Sequence, residues 1–87
     1  MHHVIDFVER GDAPSNRPTE RLDVRDLPPP QPLQRTLEEL SAFETPTILL
    51  QINDRLPQHL FPMLRDRGYR YESYEHEDAV VTVIWEP

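Results

Sequence analysis

The sequence predicts a two-layer α/β (α+β) sandwich with the order β-α-β-α-β-β, in which a four-stranded mixed sheet carries two helices on one face. Three observations predict it. Segments of helical and of strand-like periodicity alternate along the first two thirds of the chain. Prolines cluster at the boundaries of those segments, and one well-placed glycine ends the second helical pattern. Residues 69–86 read as a hairpin. A strand–helix–strand–helix–strand order with right-handed crossovers places both helices on the same side of the sheet.

Residues 1–9 carry Val4, Ile5, Phe7 and Val8. Their spacing fits a helix through Val4, Phe7 and Val8 and a strand through Ile5 and Phe7, so the period stays undecided. Residues 11–20 are a polar tether with two prolines. We divide the chain accordingly into an N-terminal extension, residues 1–20, and a domain, residues 21–87.

Residues 21–25 alternate Leu22 and Val24 with charged neighbours, as a half-buried strand does. The prolines at 28–30 cannot extend it, because they supply no ladder donors. A helix starts near Pro30 to Pro32, where a missing N–H costs nothing. Leu33, Leu37 and Leu40 form its stripe, Glu38 and Glu39 face water, and Phe43 closes the face from the following turn.

Residues 46–52 are the strongest strand, with Ile48, Leu50 and Ile52 on one face and Thr47, Leu49 and Gln51 on the other. Asp54 is a candidate cap for a second helix beginning near Leu56 and Pro57. That helix presents Leu60, Met63 and Leu64, admits Pro62 only in its first turns, and ends at Gly68 in a left-handed C-cap. Residues 69–75 and 79–86 form the closing hairpin, and the last strand is apolar on both faces apart from Thr82.

Composition excludes several function classes. Eighty-seven residues support one small core. The absence of cysteine removes disulfides, thiolate zinc sites, iron–sulfur clusters and thiol nucleophiles. All nine basic residues are arginine, so Schiff-base lysine chemistry and a Walker-type lysine are excluded. A formal charge of −7 argues against nucleic-acid binding. No apolar run approaches the roughly 20 residues of a membrane span, and no signal-peptide pattern opens the chain. The expectation is a cytoplasmic protein that binds neither nucleic acid nor membrane.

The stretch Leu22-Asp23-Val24-Arg25-Asp26-Leu27-Pro28-Pro29-Pro30-Gln31-Pro32-Leu33 is similar to the opening of the small sulfur-carrier (TusA/SirA-like) fold, Leu-Asp-x-Arg-Gly-Leu-x-Cys-Pro-x-Pro. It resembles more closely an uncharacterised branch, domain-of-unknown-function family 2249 (DUF2249). That resemblance rests on Asp23-Val24-Arg25, Pro29-Pro30-Gln31-Pro32-Leu33, Asn53-Asp54 and Gly68-Tyr69, and covers residues 22–85. The sulfur carriers' cysteine falls at Pro29 and their glycine at Asp26, so the resemblance implies the fold but not persulfide relay. The branch often continues Asn-Asp with His-Asp-Pro, where this chain has Arg55-Leu56-Pro57. Its members stand fused to, or near, hemerythrin-like and other redox or nitrogen-oxide proteins, which implies an accessory role in such a system.

Two sites compete. In a strand–helix–strand unit ligands bind at the carboxyl ends of the parallel strands. That edge gathers Arg25, Asp26, Asn53, Asp54 and Arg55, a candidate site for an anion or a metal, weakly catalytic if Asp26 and Asp54 act as an acid–base pair. The plainer reading is that Arg25 pairs with Asp26 or Asp54 and fixes the turns. The second site is the sheet face opposite the helices. With the helices on the Ile48, Leu50 and Ile52 face, the open face presents Leu49, Tyr74, Val80 and Ile84. Either residues 4–8, with Ile5 and Phe7, fold back over it, or it meets a protein partner or a second copy in a homodimer.

The remaining motifs carry less. Met1-His2-His3 suits an adventitious copper or nickel site, His59 a surface position, and Glu75-His76-Glu77-Asp78 a solvated hairpin tip. No serine sits in a nucleophile elbow beside a histidine. The sequence predicts an interaction or small-ligand-binding module that is not an enzyme and carries no cofactor and no metal.

Overall fold

The computed structural model describes residues 11–14 and 16–87. Six elements follow in the expected order: β1 (Thr19–Asp23), α1 (Gln31–Ala42), β2 (Ile48–Asn53), α2 (Leu60–Asp66), β3 (Arg70–His76) and β4 (Ala79–Trp85). They build a mixed four-stranded sheet of order β1-β2-β4-β3. β1 runs parallel to β2, whereas β4 lies antiparallel to both β2 and β3. The last strand therefore slots between β2 and β3. Its position explains its sequence, because a central strand buries both faces and Val80 to Trp85 are all buried.

Both crossovers advance in the same direction across the sheet, so a common hand stacks both helices on one face. Under them Leu49 and Ile84 pack with Leu40 of α1 and with Leu60 and Leu64 of α2. Phe61 stacks on Tyr71 with ring centroids 4.5 Å apart and closes the β3 side of this core. The face assignment from the sequence is thereby inverted. The face that carries the helices bears Leu49, Gln51 and Ile84, while Ile48, Leu50 and Ile52 point away from the helices and join Val81, Val83 and Trp85. Counting apolar positions cannot settle this, because every residue of β2 is buried. The crossover hand decides it.

On the helix-free side, Ala13 is buried in the cluster and Tyr74 packs against it. The tether reaches this face because the Asp12 N–H donates to both Glu72 carboxylate oxygens, at 3.1 and 3.3 Å. A Cβ at Gly11 would meet that carboxylate and the Tyr74 hydroxyl, so a side chain there would have to displace the end of Glu72. Arg17 donates to the Glu86 carbonyl.

Local chemistry explains the element ends. Pro32 lies at the second position of α1, where no intrahelical partner is lost. α2 begins at Leu60, later than Leu56-Pro57 suggests, and its cap is His59 rather than Asp54. The physical reason is Asn53, whose Oδ1 accepts from the Asp54 N–H at 2.8 Å and holds the chain in a turn. Starting there, α2 places Pro62 at its third residue, in the tolerated first turn. Gly68 closes α2 with φ +82°; its N–H donates to Arg65 and that of Tyr69 to Leu64, a two-bond C-cap. Among the described residues no helix is long and apolar enough to cross a membrane.

Candidate functional site

The carboxyl ends of β1 and β2 open into a cleft of about 610 Å³ between the start of α1 and the β2–α2 connection. Two sets of apolar residues line it: Leu27, Pro29, Pro30, Pro32 and Leu33 from the α1 side, and Leu56, Pro57 and Leu60 from the other. Prolines are placed here by backbone logic, since they tolerate helix starts and the turn that leads into one. Their side effect is a rigid, apolar lining.

Gln51 of β2 lines the same cleft and is 1% exposed. Strand parity places it under the helices, in register with Leu22 on β1 and Thr82 on β4. Thr82 in turn shares a 2.8 Å hydrogen bond with Ser73 of β3. On the helix side, the Gln51 Nε2 donates to Thr36 Oγ1 at 2.7 Å. The Thr36 hydroxyl donates its single hydrogen to the Pro32 carbonyl, also at 2.7 Å, and so can only accept from Gln51. That chain fixes the amide, with nitrogen toward Thr36. Gln51 Oε1 is left buried without a hydrogen-bond partner, and among the described residues it is the one such side-chain atom. A buried acceptor in that condition costs about 1–3 kcal/mol.

Of the five residues nominated from the sequence, Asn53, Asp54 and Arg55 line the cleft, and Arg25 and Asp26 do not. Arg25 turns back to Asp23 rather than to Asp26 or Asp54. Its Nε lies 3.0 Å from Asp23 Oδ1 and its Nη2 2.6 Å from Oδ2, and the Arg25 N–H donates to Oδ1 at 3.1 Å. The hydrogen bonds from Arg25 hold the Asp23 carboxyl below its usual range. Arg55 lies 3.6 Å from Asp54 in a solvated pair.

The helix starts offer few donors to an anion. In α1 the Gln31 N–H donates to Pro28, the Gln34 N–H donates to Pro30, and Pro32 has none, which leaves at most that of Leu33. In α2 the Leu60 N–H donates to Pro57 and Pro62 has none, which leaves that of Phe61. Among the described residues no group of three or more His, Asp or Glu is placed to hold a metal ion.

The nominated interface residues separate onto different faces. Leu49 and Ile84 are fully buried beneath the helices, and Val80 is buried on the same side by strand parity. Tyr74 lies on the helix-free side. Ile5 and Phe7, like His2 and His3, lie outside the described residues. The reading of the sequence missed Gln51, Thr36 and the proline walls as one site. The available signal was an amide, Gln51, set between apolar neighbours in the middle of a central strand.

No curated protein and no solved structure matched the chain. The model of one family, described as uncharacterized conserved protein (DUF2249), matches residues 21–85, and the chain belongs to that family.

Proposed function

We propose that the chain is a non-catalytic small-ligand-binding module whose site is the cleft at the carboxyl ends of β1 and β2. The observation that carries this reading is the Gln51 Oε1, a buried acceptor without a partner in a residue that lines a preformed, largely apolar cleft. Small-molecule sites combine such a lining with a few placed polar groups, in volumes of about 300–1,000 Å³. Binding at this edge of an α/β sheet also follows the general placement of ligands in such folds. The aspartate pair suggested for acid–base work is not supported, since Asp54 lines the cleft and Asp26 does not. An accessory role in a redox or nitrogen-oxide system rests on the company kept by resembling domains.

A fragment screen followed by amide ¹H–¹⁵N shift mapping tests the reading. Shifts from binders are expected to cluster at residues 27–33 and 51–60. A broad library that yields no binder at these positions would remove it.

A further inference from the structure

The cleft's chemistry also selects what it takes; this step rests on the ligand-binding reading above and narrows it. An anion finds little here. Arg25 is held bidentate by Asp23 outside the cleft, and the one guanidinium that lines it, that of Arg55, has the Asp54 carboxylate beside it. Helix-start donors are few as well: Pro32, which lines the cleft, and Pro62, which does not, have no N–H, and those of Gln31, Gln34 and Leu60 are already spent on backbone carbonyls. A metal ion lacks a ligand set among the described residues. What the cleft does offer is apolar surface on two sides, a polar rim of Asn53, Asp54, Arg55, Gln58 and His59, and, among the described residues, one buried acceptor without a partner, Gln51 Oε1.

That acceptor has a defined sense. Thr36 uses its hydrogen on Pro32, so the Gln51 amide must turn its nitrogen to Thr36 and keep its oxygen unpaired. The polar row continues away from the cleft into Thr82 and Ser73, whose hydroxyls bond each other. From these we infer that the cleft binds an uncharged, predominantly apolar small molecule that presents one N–H or O–H donor to Gln51 Oε1. The donor sets the orientation of the ligand, and the Leu27–Leu33 and Leu56–Leu60 walls supply most of the contact. A flat, uncharged ring with a single N–H satisfies every element of this description.

Indole and 1-methylindole share the ring and the charge, and the second replaces the N–H donor with a methyl group. Benzoate and inorganic phosphate serve as anionic controls. Titration of each into the full chain, followed by amide ¹H–¹⁵N NMR, gives both the site and the affinity. The inference predicts that indole shifts residues 27–33 and 51–60 and binds about five- to tenfold tighter than 1-methylindole, the value of one satisfied buried hydrogen bond. Benzoate and phosphate are expected to bind more weakly than indole. In Gln51→Met the two indoles should bind alike. Equal binding of the indoles to the wild-type cleft, or preference for either anion, overturns the inference while leaving a ligand cleft standing. If none of the four probes shifts the cleft and a broad library also fails there, the ligand-binding reading falls with it.

Discussion

Replacing Gln51 with methionine is expected to make the protein more stable. The change removes the unpartnered Oε1, whose burial costs about 1–3 kcal/mol. It also removes the hydrogen bond from Gln51 Nε2 to Thr36, worth about 0.5–1.5 kcal/mol. Thr36 loses only an incoming bond, because its own hydrogen remains on the Pro32 carbonyl, so no new donor is orphaned. Methionine is unbranched, close in length to glutamine and adaptable in rotamer, which keeps the packing cost small. The balance is a gain of about 1 kcal/mol, or roughly 4–8 °C in Tm for a domain of this size. Thr36→Val gives the contrasting result. It leaves both ends of the Gln51 amide without a partner and should lower stability by about 1–3 kcal/mol. Urea unfolding followed by circular dichroism reads both changes, with an unchanged m-value as the check that the unfolding transition is the same. A lower midpoint for Gln51→Met at constant m would refute the reasoning, since it would mean that Oε1 is satisfied in the native state.

Other predictions follow from the fold. Leu49→Ala should cost about 2–5 kcal/mol in urea unfolding, because Leu49 is fully buried between the sheet and the helices; a near-neutral result would return it to a surface role. Glu77 holds φ +57° in the β3–β4 turn, so Glu77→Gly should raise stability by about 0.5–1 kcal/mol. Gly68→Ala should lower it by about 1 kcal/mol on conformational grounds alone, since a Cβ there meets nothing. Loss of stability in both hairpin and helix-cap variants alike would contradict the turn geometry. The Asp23 carboxyl titrates below its usual range because Arg25 donates to it, so its contribution is present above the ordinary carboxylate range and is lost as pH falls through the lowered value. In Arg25→Ala the Asp23 carboxyl is expected to titrate higher by side-chain carbonyl NMR, with only a slight change in acid stability because the pair is solvated.

The order of elements was legible because each depends on short-range patterns. The Leu33, Leu37 and Leu40 stripe, the prolines ahead of it, and Gly68 behind α2 each act within a few residues. The tolerance of Pro62 was also readable, since it needs only the helix start to fall at Leu60. The sidedness of the sheet was not legible. β2 is buried on both faces, so the richer apolar row, Ile48, Leu50 and Ile52, gave no information about where the helices lie. The partner of Arg25 was missed for a different reason. Asp23 is two residues away, on a strand that ends just before it, and only the turn beyond β1 brings the guanidinium back onto it.

The cleft needed tertiary information altogether. In sequence Gln51 reads only as a position on the second face of a strand, beside Thr47 and Leu49, and Thr36 as a polar residue on a helix. The 2.7 Å bond between them becomes visible only when α1 is laid across β2. The prolines were read as boundary markers, which they are. That they also strip donors from the helix starts, and so turn the edge away from anions, follows from the positions of Pro32 and Pro62 within α1 and α2.

A crystal structure of the full chain with indole soaked in tests the central claim most directly. The account predicts the ring between the Pro29–Pro32 and Leu56–Leu60 walls, its N–H about 2.9 Å from Gln51 Oε1, and Gln51 Nε2 still on Thr36. A ring bound elsewhere, or one in the cleft with its N–H turned away from Gln51, would contradict it.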